Sequence, residues 1–214
     1  LQHRGQESAG ICVNKEGKLD LFKDMGFVNN VFDDQILDSL EGDMAIGHVR
    51  YSTTGSSKSV NAQPLLTNSI KGELALAHNG NLVNGQHLRD KLEGLGSIFH
   101  SDLDTEVIAH LVSRSLKNEM IEALKQSLSQ LKGAFSLVAL TSESLVAIRD
   151  PHGFRPLSLG KIGDGYVVAS ESCAFDVIGA EYIRDIEPGE MIVINEEGIE
   201  SFRYTEKKPH KFCV

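Results

Sequence analysis

Short apolar runs broken by polar, glycine-bearing turns dominate both ends of the chain, and longer runs with helical spacing fill its middle. Residues 9–13 and 18–22 read as two strands of a hairpin, with Asn14-Lys-Glu-Gly17 as the turn. Residues 31–40 have helical spacing with acids near the start. Two short apolar runs, 45–49 and 74–77, read as buried strands. The second ends on His78-Asn-Gly-Asn81, where a carboxamide and a glycine interrupt it. Residues 85–92, 105–116 and 121–131 read as helices, the last with Ile121, Leu124, Leu128 and Leu131 on one face. Strands are then expected at 134–140, 145–148, 157–162, 166–169, 191–194 and 199–202.

Strands, then helices, then strands again do not give the regular βα alternation of a doubly wound sheet. Two mainly antiparallel sheets packed face to face, with helices outside, fit the order better. The class expected is α+β. Residues 52–59 are small and polar and read as a loop beside Arg50.

Composition narrows this only a little. With 214 residues, 41% hydrophobic and 24% charged, the chain is long enough for a substantial core in one large domain or two small ones. No apolar run approaches the ~20 residues of a membrane-spanning helix. Cys12, Cys173 and Cys213 are odd in number and widely spaced, which argues for free thiols in a reducing cytosol. A net charge of −9 speaks against sequence-blind nucleic-acid binding. The basic run Lys207-Lys-Pro-His-Lys211 reads as a solvated linker, so residues 1–206 are taken as the domain and 207–214 as the start of a linker.

Four segments concentrate polar groups at the ends of apolar runs: Gln2-His-Arg-Gly-Gln-Glu-Ser8, Gly47-His-Val-Arg-Tyr-Ser-Thr-Thr-Gly55, His78-Asn-Gly-Asn81 and Ser101-Asp-Leu-Asp-Thr-Glu106. Taken singly, Arg50 could be a surface ion pair, Asn79-Gly80 a turn, and Asp104 a first-turn acid facing a helix dipole. Together they make a coherent set. An arginine suits an α-carboxylate, an aspartate suits an α-ammonium, and an Asn side chain plus a Gly N–H can hold an oxyanion. That combination recognises glutamine.

These segments resemble the class II glutamine amidotransferase domain, an N-terminal-nucleophile hydrolase with a four-layer αββα sandwich. Within that class the pattern is similar to the amidophosphoribosyltransferase family. Gln2-His-Arg-Gly-Gln-Glu-Ser-Ala-Gly10, Gly47-His-Val-Arg-Tyr-Ser-Thr53, His78-Asn-Gly-Asn-Leu82, Asp104-Thr-Glu106, Arg149-Asp-Pro-His-Gly-Phe-Arg-Pro-Leu157, Ala169-Ser-Glu-Ser-Cys173 and Glu187-Pro-Gly-Glu190 match it in order. The related glucosamine-6-phosphate synthases lack the Asp-Pro-His-Gly-Phe-Arg-Pro-Leu run. The resemblance implies that Arg50 binds the glutamine α-carboxylate with Thr53 close by, and that Asp104, helped by Gly80, binds the α-ammonium. It implies an oxyanion hole of Asn79 and Gly80, and Arg4 and Gly5 beside the nucleophile. His48 and His78 are expected to be satisfied, partly buried supporting residues.

In the family the nucleophile is a cysteine at the mature N-terminus whose own α-amine is the general base, which suits a group titrating near ~8. Residue 1 here is Leu. The resemblance implies that the chain begins some two dozen residues downstream of that cysteine, lacks the strand bearing it, and does not itself hydrolyse glutamine. Cys12 is expected to be a buried small residue and Cys173 to pack a short helix. Beyond residue 206 the resemblance implies a phosphoribosyltransferase domain using Mg²⁺ and phosphoribosyl pyrophosphate, fed with ammonia through an interior passage, in a cytoplasmic homo-oligomer. Cys213 corresponds to a [4Fe–4S] ligand in some members, while others keep the cysteine without a cluster. His100, Asp102, Asp104 and Glu106 alternate like a metal site, but a helix from 105 would scatter them. The rival readings are a non-catalytic glutamine-binding module of the same fold and the sugar-phosphate type of amidotransferase.

Overall fold

The computed structural model describes residues 1–51, 58–206 and 208. In chain order its elements are β1 (Ser8–Lys15), β2 (Lys18–Met25), α1 (Val28–Val31), α2 (Asp34–Ser39), β3 (Met44–Arg50), β4 (Leu65–Ser69) and β5 (Gly72–Leu82). Helices α3 (Gly85–Gly94), α4 (Asp104–Arg114) and α5 (Met120–Leu128) follow. Next come β6 (Gly133–Leu140), β7 (Leu145–Arg149), β8 (Ser158–Ile162), β9 (Gly165–Ala169), α6 (Cys173–Ile178), β10 (Glu181–Asp185), β11 (Glu190–Asn195) and β12 (Gly198–Arg203).

All strand pairs are antiparallel among the described residues. The large sheet has six strands in the order β12-β11-β7-β6-β5-β4. Its register sets Ala77 beside Val138, Val138 beside Ala147 and Ala147 beside Ile192, so these four share one face. On that face two three-stranded sheets pack, β2-β1-β3 and β10-β8-β9. Cys12, Leu19 and Ile46 of the first meet Ala75, Ala77 and Leu140. Leu157, Leu159 and Ile186 around the second meet Ala147 and Ile192. The opposite face carries Leu74, Leu76, Phe135, Leu137, Ile148 and Met191 against α3, α4 and α5. Leu124, Leu128 and Ile108 are fully buried there, each contributing roughly 1.5–3 kcal/mol by removal from water. On the far side, Val31 and Phe32 cover Ala9 of β1. The four-layer sandwich stands, with its second sheet divided in two.

Several boundaries differ from expectation for local reasons. The helix expected over 31–40 is two short ones. Phe32 is extended and buried against Phe22 (ring centroids 5.8 Å), and Asp33 caps α2 by accepting from Ile36 N–H at 2.8 Å. The first hairpin is longer than expected, because Glu16 and Gly17 at φ 52° and 83° make a two-residue turn. Strands β4 and β10 were not expected. β10 lies on an edge and carries exposed Tyr182 and Ile183, so it lacks the alternation of a half-buried strand.

Candidate active site

The strand expected to end at Ala77 continues through Asn79 and Gly80 to Leu82, paired with β6 as far as Gly133. Asn79-Gly80 is therefore not a turn. Gly80 sits at φ 145°, and a Cβ there would lie 2.0 Å from the Ala134 carbonyl oxygen. Only glycine lets the two backbones come so close. Alternation sends His78 to the helix side, where it packs edge-on to Phe135, and Asn79 to the opposite side with Ser136.

Asn79, Gly80 and Ser136 border a cleft of about 500 Å³ between the two small sheets. One wall is residues 45–51, the other residues 166–170, and each wall contributes consecutive rather than alternate residues. Consecutive lining means that a strand presents its edge. Among the described residues β3 pairs only with β1, and β9 only with β8, so two unpaired edges face each other across the cleft. Ala77, Val138, Leu145 and Leu157 also line it.

Arg50, the last residue of β3, is buried, and its Nη1 lies 2.7 Å from Glu7 Oε1. Glu7 N–H also donates to the Arg50 carbonyl at 3.1 Å, so the acid is held from both ends. Asp104, the first residue of α4, joins the cleft from the helix side. Its Oδ2 accepts from Leu82 N–H at 2.9 Å and its Oδ1 is 3.0 Å from His78 Nδ1. Burial pushes the Asp104 carboxyl up, but the His78 contact and the Leu82 and Thr105 N–H groups outweigh it and hold it below the ordinary value. His48 is pushed down to about 4, by burial first and then by His78 and Arg50, against a hydrogen bond to the His78 main chain. Neither histidine is fully satisfied: among the described residues, His48 Nδ1 and His78 Nε2 are buried without a partner.

Arg4 lines the cleft, and Gly5 next to it lies against β3. A Cβ on Gly5 would meet the Val49 carbonyl carbon at 2.5 Å, so the first segment lies directly on the strand. Arg4 Nη1 reaches across to Glu171 Oε1 at 3.0 Å, and His3 Nε2 reaches Glu171 Oε2 at 2.9 Å. Thr53 and Cys213 lie outside the described residues, as does most of the 207–214 segment. Cys12 and Cys173 line no part of the cleft. Cys12 is fully buried, and burial with nearby Asp20 and Glu73 pushes its thiol up to about 12. His100, Asp102, Asp104 and Glu106 form no metal-binding group, and Glu106 instead accepts from His100 N–H, Ser101 N–H and the Ser101 hydroxyl. Sequence reasoning missed Gln63, Arg155 and Tyr166, which also line the cleft. Arg155 lies in the Arg149–Leu157 run already singled out, and the proline after Gln63 was the other local signal.

The arrangement brings two N–H donors, a guanidinium and a carboxylate to one cleft, which suits a zwitterionic amino acid whose side-chain carbonyl is attacked. Residues 48–177 match a family model described as a glutamine amidotransferase domain. Over 214 residues the chain is 50% identical to the amidophosphoribosyltransferase of Bacillus subtilis strain 168, covering all of this chain and 45% of that protein. Against the amidophosphoribosyltransferase of Archaeoglobus fulgidus it is 44% identical over 216 residues, covering all of this chain and 47% of that protein. The chain thus spans about half the length of the curated relatives it matches. Among solved structures, the B. subtilis glutamine phosphoribosylpyrophosphate amidotransferase complexed with ADP and GMP superposes with a TM-score of 0.94 at 50% identity, over 100% of this chain and 46% of that one. A class II domain protein from Silicibacter pomeroyi superposes with a TM-score of 0.61 at 16% identity, over 93% and 92% of the two chains, which shows likeness of fold alone.

Proposed function

This chain belongs to the family of glutamine amidotransferase domains, and from that premise we propose that its cleft binds L-glutamine and releases the amide nitrogen as ammonia. In the full-length protein the ammonia is passed to phosphoribosyl pyrophosphate, giving 5-phosphoribosylamine and pyrophosphate, the first step of de novo purine synthesis. The observation that carries this reading is the convergence of Asn79, Gly80, Arg50 and Asp104 on one cleft.

The residues divide the work. Asp104, held anionic, takes the α-ammonium, and Arg50, steadied by Glu7, takes the α-carboxylate. The γ-amide carbonyl then lies beside Asn79 and Gly80. A thiolate attacks the carbonyl carbon, and the tetrahedral oxyanion accepts from Asn79 Nδ2 and Gly80 N–H. The thiol proton goes to the amine acting as base and then to the departing nitrogen, which leaves as ammonia. Water cleaves the thioester to glutamate and regenerates the thiol. Neither Cys12 nor Cys173 is placed for this attack. The two open edges of β3 and β9 instead support insertion of an extended segment carrying the nucleophile, paired to both walls.

Mg²⁺ and, through Cys213, a [4Fe–4S] cluster belong to the same proposal for the full-length protein. Among the described residues no group of three His, Cys, Asp or Glu side chains fits either, so no step above involves them. The test is Asn79→Ala in the full-length protein. Glutamine-supported turnover should fall ~10²–10³-fold, the usual consequence of losing one oxyanion donor, while ammonia-supported turnover persists. Equal loss of both would overturn the reading.

A further inference from the structure

The hydrogen-bond ladder that holds β5 changes character just where the oxyanion strand begins. β4 pairs with β5 from Ser69 opposite Gly72 to Leu65 opposite Leu76. The same register carried back would set Pro64 against Ala77 and Gln63 against His78. The main-chain ladder ends at Leu65, one rung short of that pair. The Gln63 side chain takes its place. Its Oε1 accepts from His78 N–H at 2.7 Å, and its Nε2 donates to the His78 carbonyl at 3.4 Å. The carboxamide offers His78 the donor and acceptor that a paired strand residue would have offered.

Gln63 is itself firmly placed. It is 5% exposed, and its main chain is pressed against β1, where a Cβ on Gly10 would come within 2.3 Å of the Gln63 carbonyl oxygen. The Lys23 ammonium donates to the flanking carbonyls of Ala62 and Pro64 at 2.5 and 3.2 Å. Gln63 Oε1 also accepts from the buried Thr105 hydroxyl at 3.4 Å, which connects it to the residue after Asp104. One carboxamide therefore touches the peptide before Asn79 and the first turn of α4.

We infer that Gln63 is a positioning residue for the oxyanion hole. It fixes the His78 peptide and with it the direction of the Asn79 side chain and the Gly80 N–H, and it sets their distance from Asp104. The inference rests on the glutaminase reading of the cleft. A pocket of this kind tolerates little misplacement, since an error of ~1 Å can cost ~10²-fold in rate.

The experiment uses the full-length protein with Gln63→Leu, which removes both hydrogen bonds to His78 and the one from Thr105, and Gln63→Glu, which keeps an acceptor for His78 N–H but opposes its carbonyl with a second oxygen. Gln63→Leu should lower kcat with glutamine by at least ~10-fold, with KM for glutamine changed less than ~3-fold and ammonia-supported turnover retained. Hydrogen exchange read by mass spectrometry should speed up in the peptide spanning His78 to Gly80 and stay unchanged in Leu74 and Leu76. If Gln63→Leu does not fold, Gln63→Glu carries the same test with the same split between kcat and KM. A kcat within ~2-fold of the unsubstituted protein, or parallel loss of glutamine- and ammonia-supported turnover, would overturn the inference. An unsubstituted full-length protein with no glutamine-supported turnover would overturn the underlying reading, and this inference with it.

Discussion

His78 Nδ1 and Asp104 Oδ1 lie 3.0 Å apart, joining the strand that carries Asn79 and Gly80 to the helix that begins with the acid. The aspartate is held twice more, by Leu82 N–H at 2.9 Å and by the Thr105 main chain, so its position is decided by β5 as much as by α4. In the proposed glutamine pocket, binding and chemistry would thereby be coupled through a single carboxylate.

Asp104→Asn keeps the shape and removes the charge. Hydrogen bonds to charged groups contribute ~1.5–3 kcal/mol, so KM for glutamine should rise ~10–100-fold in the full-length protein. Ammonia-supported turnover should be unchanged. Steady-state kinetics with each nitrogen donor checks this, and an unaltered KM would leave Asp104 only a structural part.

Gly80→Ala should be far more costly than alanine at another positive-φ glycine. At Gly163, φ is 56° and nothing lies within 4 Å of a new Cβ, so only the backbone preference of ~1–2 kcal/mol is lost. At Gly80 the Cβ would meet the Ala134 carbonyl oxygen at 2.0 Å and the Phe135 Cα at 2.8 Å, forcing β5 and β6 apart. Thermal denaturation of the two variants should show Gly80→Ala several degrees below Gly163→Ala. Equal midpoints would mean that the close approach imposes nothing.

The two described cysteines should differ sharply in reactivity. Attack requires the thiolate, and Cys12 is both buried and raised to about 12, whereas Cys173 is exposed on α6. Alkylation of the native protein at pH 8, followed by peptide mass spectrometry, should modify Cys173 and leave Cys12 intact until denaturant is added. Early labelling of Cys12 would contradict its placement between the sheets.

Acid stability should carry the mark of Glu190. Burial alone would raise its carboxyl, but hydrogen bonds from Arg184, Ser201 and the Glu187 N–H bring it down to about 2. Arg184 grips it with both Nη atoms, at 2.9 and 2.6 Å. A carboxyl lowered on folding stabilises fully above its unfolded value near 4.5 and loses that contribution as pH falls toward 2. The amount is roughly 2–3 kcal/mol. Denaturant titrations between pH 5 and 2.5 should therefore show a shallower decline for Glu190→Gln than for the unsubstituted protein.

The sequence made the layered architecture legible because most strands and the three central helices keep their hydrophobic periods. Asn79, Gly80, Arg50 and Asp104 were legible as a set, since each ends an apolar run and their chemistries complete one another. What escaped has a physical cause in each case. The split at Phe32 and Asp33 follows from one aromatic contact and one cap, neither of which disturbs helical spacing. β10 has no buried face to announce it. Gln63 performs a main-chain task with a side chain, across 15 residues of separation, and no local pattern encodes that.

Among the described residues no backbone ladder joins the two small sheets. Across the cleft they meet through Arg4 and His3 on Glu171, contacts of a kind that typically contribute only ~0–1 kcal/mol each. Each sheet is instead riveted to the large one beneath it, by separate apolar clusters. The width of the cleft is therefore set by how each small sheet seats on the six-stranded floor that carries Asn79 and Gly80, and not, among the described residues, by strand pairing between the walls.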